Sequence, residues 1–305
     1  MCIGNAALDR TFALAEPARP ATSNPARLRT GFGGVARNVA ENLARLDVAV
    51  ALVSQVGDDA GGRARREDCA ARGIDVRQVL VSSVHPTSEY VAIIDPQSEL
   101  VIGASANEAI EALTMPMLDA ALRADPAPPW TFADCNLPAP ILAALLERSR
   151  LHGARLAIDA VSTAKARRLP HDLRGIDLLF VNDDEARALL AADSAAGASD
   201  VARGLRERGA GAVVLTRGAR GVVVSTEAGN VEVEVPSATP VDVTGAGDAL
   251  IAGTLYGLLA GESLADAVRT GTLVALLTIE SPATVSRALD CAAVAALRTR
   301  LAVRA

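Results

Sequence analysis

The amino-acid sequence predicts an α/β fold, a doubly wound and mainly parallel sheet with helices on both faces and a small β lid. Three observations carry that prediction. Short β-branched, apolar runs alternate with helix-like patterns over most of the chain, the rhythm of strands joined by helical crossovers. Most of those runs end on a polar residue, where strand should pass into helix. Two stretches, near 10–30 and 84–103, break the rhythm.

The first strand is barely present. Only Cys2 and Ile3 precede Gly4, against about five residues in an ordinary core strand; either the strand is truncated or translation starts upstream of Met1. Residues 10–30, rich in Pro, Ala and Arg, show little periodicity. A helix is expected over 35–46, followed by a strand at 48–56 (VAVALVSQV) ending at Gly57-Asp58. Residues 84–103 read as a β-hairpin, two apolar runs around a turn at Asp95-Pro96-Gln97-Ser98,. Paired with 10–30, that hairpin makes a lid able to exclude water from a reactive intermediate.

Four further strands are expected at 130–132, 155–158, 178–181 and 212–215. They run up to Asp134, Asp159, Asn182 and Thr216, with helices such as 141–149 and 200–208 between them. Ligands of doubly wound sheets gather at the carboxyl ends of the strands, so this polar punctuation already marks one edge as a site. No repeat or low-complexity linker intervenes. The expected organisation is a single domain over 1–305 with the two lid segments inserted.

A formal net charge of −6 argues against a nucleic-acid polymer as partner, which needs clustered Lys and Arg to replace counterions. Arg63, Arg65 and Arg66 alternate with acids and read as a solvated helix face. Cys2, Cys69, Cys135 and Cys291 are widely spaced, with no C-x-x-C pattern, so free thiols in a reducing compartment are expected rather than a zinc site. No apolar run approaches the roughly 18 residues that span a membrane. With no basic-then-apolar leader visible either, a cytoplasmic location and no membrane partner are expected.

The strongest chemical signal is Asp242-Val243-Thr244-Gly245-Ala246-Gly247-Asp248, followed by the helix-forming ALIAGTLYGLLAG. Glycines there let backbone amides turn toward an anion at a helix N-terminus. A carboxylate beside a transferring phosphoryl group can accept a hydroxyl proton; the same residues also fit an ordinary N-cap. Gly31-Phe32-Gly33-Gly34-Val35-Ala36-Arg37-Asn38 satisfies G-x-G-x-x-A literally. The segment before it reads as no β-strand, so a dinucleotide fingerprint is refused. Close approach of Gly33 and Gly34 to a polyol, with Asn38 one helical turn on, is the alternative to a plain tight loop. Asn182 and Glu185 stand three apart at a helix start, which suits a hydrated magnesium ion on phosphates or a capping box. Thr216-Arg217-Gly218-Ala219-Arg220-Gly221 is a nucleotide-binding turn or a hairpin. No G-x-x-x-x-G-K-[ST] occurs, so the chain is not a P-loop enzyme.

In this order the motifs resemble the ribokinase-like (PfkB) family of carbohydrate and nucleoside kinases, and the resemblance covers essentially the whole chain. It implies an ATP-dependent transfer of the γ-phosphoryl to a sugar hydroxyl, with Asp248 as catalytic base and the amides of Gly245, Ala246 and Gly247 as anion hole. It further implies sugar contacts from Asp9, Gly33, Gly34, Asn38 and Asn136, with Lys165 as a phosphate or substrate contact unless it is a solvated lysine. Asn182, Thr216, Gly218 and Gly221 would face the nucleotide, and Glu185 would serve Mg2+. Asp242, Thr244, Glu280 and Ser286 would hold a monovalent cation such as K+. Partners would be ATP and a sugar or nucleoside, with a possible homodimer through the lid.

Within the family, GGVARNVAENLARL at 33–46, TSEYVAIIDPQSELVIG at 87–103 and IDAVSTAKARRL at 158–169 look like the branch acting on pseudouridine. That branch often carries a stretch close to A-D-M after the lid hairpin, where this chain has Ser105-Ala106-Asn107-Glu108. Rival readings are a kinase for ribose, a ketohexose or a purine nucleoside, and a silent relative that only binds a nucleoside.

Overall fold

The computed structural model describes residues 1–302 except 98, 124–127 and 194. The chain opens with β1 (Cys2–Ile3), β2 (Ala7–Leu14), β3 (Ala26–Gly33), α1 (Val35–Arg45), β4 (Leu52–Gly57), α2 (Ala60–Ala71) and β5 (Val79–Ser82). Next come β6 (Glu89–Ile94), β7 (Leu100–Ala106), α3 (Glu108–Glu111), α4 (Met115–Arg123), β8 (Thr131–Asp134), α5 (Ala139–His152), β9 (Leu156–Asp159) and α6 (Thr163–Ala166). The last third holds β10 (Leu178–Asn182), α7 (Asp183–Leu190), α8 (Ala198–Glu207), β11 (Ala212–Thr216), β12 (Val222–Thr226), β13 (Gly229–Val233), α9 (Ala246–Leu259), α10 (Leu264–Ile279) and α11 (Cys291–Ala302).

One sheet runs β13-β12-β11-β10-β9-β8-β1-β4-β5. It is parallel from β11 to β5, and β12 and β13 add an antiparallel edge. Alternate residues of each strand feed opposite faces. Phe132, Ala157, Phe180 and Val214 pack with α1, α9 and α10, whereas Ala133, Ile158, Leu179 and Val213 pack with α5 and α8. Both faces are therefore covered, as the sequence pattern predicts. β1 does have only two residues, yet it lies centrally, in register with Leu52 and Val53 on one side and Phe132 and Ala133 on the other. Pairing on both edges makes so short a strand sufficient.

The lid is a second sheet, β3-β2-β6-β7. It is wider than the segments read from sequence, starting at Ala7 and reaching Gly33 and Ala106; Ser98 of the expected turn lies outside the described residues. Three expectations are corrected. The segment before Gly33, read as no strand, is β3: its side chains are mostly exposed, so apolar alternation is absent, and the ladder to β2 from Ala7↔Gly33 to Leu14↔Ala26 supplies the structure instead. The strand expected from 48 begins at Leu52, because the Val48 amide still closes helix α1 on the Leu43 carbonyl at 3.0 Å. Arg65, read as part of a solvated face, is fully buried. Its guanidinium lies 4.1 Å from the centroid of the Phe32 ring, under the root of the lid.

Candidate active site

The loop before α9 turns on Gly245. Its φ of +82° is left-handed, and a Cβ there would overlap the Thr284 carbonyl, so both conformation and space call for glycine. The turn sets Asp248 in the first helical turn, where the side chain caps nothing. It accepts a hydrogen bond from Asn38 Nδ2 at 2.7 Å. The Ala246 amide is occupied by the Val243 carbonyl at 3.2 Å. No such bond engages the Gly245 or Gly247 amide among the described residues, at the positive end of the α9 dipole. Burial pushes the Asp248 carboxyl up to about 7; the Asn38 hydrogen bond opposes the rise, the charges of Asp134 and Asp9 add to it, and Arg37 opposes it.

Asn38 comes from α1, which buries a polar set, Arg37, Asn38, Glu41 and Asn42, beside its apolar Ala36, Val39, Ala40 and Leu43. Arg37 donates to Asn38 Oδ1 at 3.1 Å and to Asp68 at 2.8 Å, and pairs with Glu41 at 2.5 Å. On the lid side, Asp9 of β2 presses its carboxylate against Gly33, where a Cβ would collide with it. Burial raises the Asp9 pKa against the pull of Arg65 and Arg37.

The strand ends complete this cluster. Asp134, buried at the end of β8, accepts from the amides of Asn5 (3.0 Å), Ala36 (2.9 Å) and Asn136 (3.0 Å), which ties β1, α1 and the β8 loop together. Burial nonetheless raises its pKa. Asn136 receives Lys165 Nζ on its side-chain oxygen and Arg168 on its backbone carbonyl at 2.6 Å. Lys165 is thus not a freely solvated lysine; burial lowers its pKa. At the end of β9, Asp159 is pushed well above the carboxylate range by burial and then by the charges of Glu185, Asp248 and Asp134.

Asn182 and Glu185 do form the capping box. Glu185 accepts from the Asn182 amide (2.9 Å) and side chain (2.8 Å), and Asn182 accepts from the Glu185 amide at 2.9 Å. Thr216 to Gly221 is the link between antiparallel β11 and β12, a single 3₁₀ turn at 218–220 closed by Arg217 N to the Gly221 carbonyl at 2.9 Å. The loop holding Asp242 and Thr244 lies next to that holding Glu280 and Ser286. The Asp242 amide donates to the Ile279 carbonyl at 3.2 Å, although no hydrogen bond joins the four side chains to one another. No group of three or more His, Cys, Asp or Glu placed to hold a metal occurs among the described residues.

The structure therefore joins Asp248 to Asn38, Asp9 to Gly33, Asn136 to Lys165 and Asn182 to Glu185. Sequence reasoning overlooked Asn5, Arg37, Arg65, Asp134 and Asp159. The two aspartates had a signal, since each closes a strand at the edge where ligands gather; the arginines had none.

Residues 1–290 match the model of the pfkB family carbohydrate kinases. The pseudouridine kinase of Escherichia coli is 30% identical over 269 residues, covering 87% of this chain and 85% of the relative. A carbohydrate kinase from Agrobacterium tumefaciens superposes with a TM-score of 0.82 at 31% identity, over 96% of this chain and 94% of that one. The Arabidopsis thaliana ribokinase solved with ribose and ATP shares the fold at 19% identity, with a TM-score of 0.81 over 97% of this chain and 96% of the other.

Proposed function

The chain belongs to the pfkB family of carbohydrate kinases, and from that premise we propose that it moves the γ-phosphoryl of ATP onto the 5′-hydroxyl of pseudouridine. The observation that carries the reading is the approach of Asn38 to Asp248 at the N-terminus of α9. One carboxylate oxygen is held by the amide and the other stays open toward an acceptor. The acceptor oxygen attacks the γ-phosphorus, the bond from phosphorus to the β–γ bridging oxygen breaks, and ADP leaves. The hydroxyl proton passes to Asp248. A carboxyl held near neutrality suits that role, because a large fraction of it is ionised near neutral pH and it is basic enough to take the proton,. The Gly245 and Gly247 amides meet the developing charge on the phosphoryl oxygens, and lid closure excludes water.

Asp9, Gly33, Gly34, Asn38, Asn136 and Lys165 form the acceptor side of this reading, and Asn182, Thr216, Gly218 and Gly221 the nucleotide side. Glu185 would hold a hydrated Mg2+ through the lone pairs that its hydrogen bonds from Asn182 leave free, and the ion would neutralise phosphate charge there. K+ fits between 242–244 and 280–286, where the two loops touch. The 30% identity with a pseudouridine kinase and the lid and 158–169 stretches support the nucleoside over a free sugar. We read 1–305 as one kinase domain in the cytoplasm, in keeping with four unpaired cysteines,. The outer lid strand β7 is exposed along its length, with Leu100, Val101 and Ile102 outermost, and a homodimer through that edge would cover it. Light scattering of wild type against a Val101→Lys variant tests the dimer.

ATP consumption measured with pseudouridine, uridine, ribose, fructose and inosine tests the function. Highest turnover on pseudouridine supports the reading; a preference for ribose or fructose moves the chain to another branch, and no turnover on any sugar overturns the kinase mechanism.

A further inference from the structure

A buried arginine lies one residue before the amide that touches the catalytic carboxylate. Arg37 is 2% exposed, far below what an unpaired surface arginine shows, and it is wired in both directions. Outward it reaches Asp68 at 2.8 Å and Glu41 at 2.5 Å. Inward it donates to the Phe32 carbonyl at 3.3 Å and to Asn38 Oδ1 at 3.1 Å. Asn38 passes the chain on to Asp248 Oδ2 at 2.7 Å. Five groups thus lie in one hydrogen-bonded line, Asp68 and Glu41 to Arg37, Arg37 to Asn38, Asn38 to Asp248.

We infer that Arg37 is a positioning residue that fixes the Asn38 side chain as a permanent donor to Asp248. The chemistry follows from the donor inventory. A guanidinium carries only donors, so the Asn38 atom it meets must be the carbonyl oxygen. The amide nitrogen is then compelled to face Asp248. That constraint matters at one moment of the reaction. Once Asp248 has taken the hydroxyl proton, a free asparagine can rotate about its terminal torsion and offer its oxygen to the new O–H, which stabilises the protonated acid. With Oδ1 locked on Arg37, Asn38 favours the carboxylate throughout. The other charged groups around Asp248 mostly work the other way: Asp9 on β2, Asp134 on β8 and Asp159 on β9 are all acidic, and Arg37 on α1 opposes them.

The inference rests on the reading of Asp248 as the base, and its test separates the two. The measurement is the pH profile of kcat between 5 and 9, with saturating ATP and magnesium and the fastest acceptor of the five-compound panel, for wild type, Arg37→Gln, Arg37→Lys, Asn38→Ala and the Arg37→Gln/Asn38→Ala pair. Glu41 keeps Arg45 and Arg72, and Asp68 keeps Arg72, so neither acid is stranded by the change; circular dichroism checks the fold of each variant. The acid limb should move upward by about one pH unit in Arg37→Gln and return most of the way in Arg37→Lys. In the Asn38→Ala background the further shift from Arg37→Gln should shrink to a fraction of that value. An Arg37→Gln profile superimposable on wild type, or a shift that persists undiminished without Asn38, overturns the inference alone. An acid limb that survives Asp248→Asn overturns the base assignment and the inference with it. If Arg37→Gln does not fold, Arg37→Met, which keeps the apolar stem and removes every donor to Asn38 Oδ1,, is read on the same limb with the same two outcomes.

Discussion

Asn38 Nδ2 lies 2.7 Å from Asp248 Oδ2, across 210 residues of sequence. The contact brings the first residues of α1 against the first turn of α9 and leaves the second carboxylate oxygen without a hydrogen-bond partner among the described residues. Asp248→Asn should lower kcat by about 10²–10⁴, the usual worth of general-base help, while ATP affinity stays within a few-fold. Initial rates and nucleotide titrations check both. Near-wild-type kcat in this variant would reduce Asp248 to a helix-end residue.

The same carboxyl makes a prediction about stability. Its folded pKa of about 7 stands above the roughly 3.9 of an unfolded chain. Between those values the native state binds more protons than the unfolded one, so stability falls as pH rises through the window. Above pH 7 the full cost, on the order of 2–4 kcal/mol, is present. Asp248→Asn should therefore melt higher than wild type at pH 8, and the gap should close toward pH 5. A gap of equal size at both pH values would mean that burial of this carboxyl has no such cost.

Gly33 carries a different kind of constraint. A Cβ at that position would occupy the space of the Asp9 carboxylate, so Gly33→Ala must push Asp9 aside. Loss in kcat/KM for the acceptor should be on the order of tenfold to a hundredfold, with KM for ATP unchanged. Steady-state kinetics with each substrate varied in turn make the distinction, and an equal loss for both would place Asp9 and Gly33 outside the acceptor pocket.

The fold was legible because its strands announce themselves twice, by apolar runs such as 178–181 and by the polar residues that end them. β3 was hidden because its side chains face solvent and only pairing with β2 makes it a strand. Asp248, Asn38 and the 242–248 loop were legible as a motif; that Asn38 touches Asp248 was not, since no spacing rule relates positions so far apart. Arg65 was misread because α2 has charged residues on all sides, and its burial depends on Phe32 arriving from another element. Asp134 and Asp159 showed as strand ends, but their charge coupling to Asp248 appears only once β8, β9 and α9 converge.

Glu185 spends both oxygens on the Asn182 capping box, a task that glutamine can share by accepting through its own oxygen. Glu185→Gln keeps the backbone half of the box but turns its Nε2 toward Asn182 Nδ2, so it should lower the melting temperature by a few degrees and raise the magnesium concentration at half-maximal rate by roughly tenfold. Magnesium titrations at fixed ATP read the second quantity. An unchanged requirement would leave 182–185 as a cap alone.

If pseudouridine is the acceptor, as proposed, selectivity for it turns on one hydrogen. Pseudouridine is joined to its sugar through C5 and presents an N1–H donor where uridine presents C5–H, so a pseudouridine site needs an acceptor with a free lone pair. Asn107 and Asn136 are second choices, since one lone pair of each side-chain oxygen is already engaged, by Asn5 Nδ2 at 3.0 Å and by Lys165. Asn5 Oδ1 and Ser88 Oγ are buried and have no hydrogen-bond partner. Asn5, at the end of β1 and held by the Asp134 carboxylate through its own amide, is the better placed of the two, because its carbonyl is oriented by the bond to Asn107. A buried acceptor left unpaired by uridine costs about 1–3 kcal/mol, roughly tenfold to a hundredfold in kcat/KM. Wild type should thus favour pseudouridine over uridine by that factor. Asn5→Ala should erase most of the preference by slowing pseudouridine and leaving uridine nearly unchanged, while Ser88→Ala should leave the ratio in place. Equal rates on the two nucleosides in wild type would remove the N1–H reading, and a ratio unaffected by Asn5→Ala would move the acceptor to Ser88.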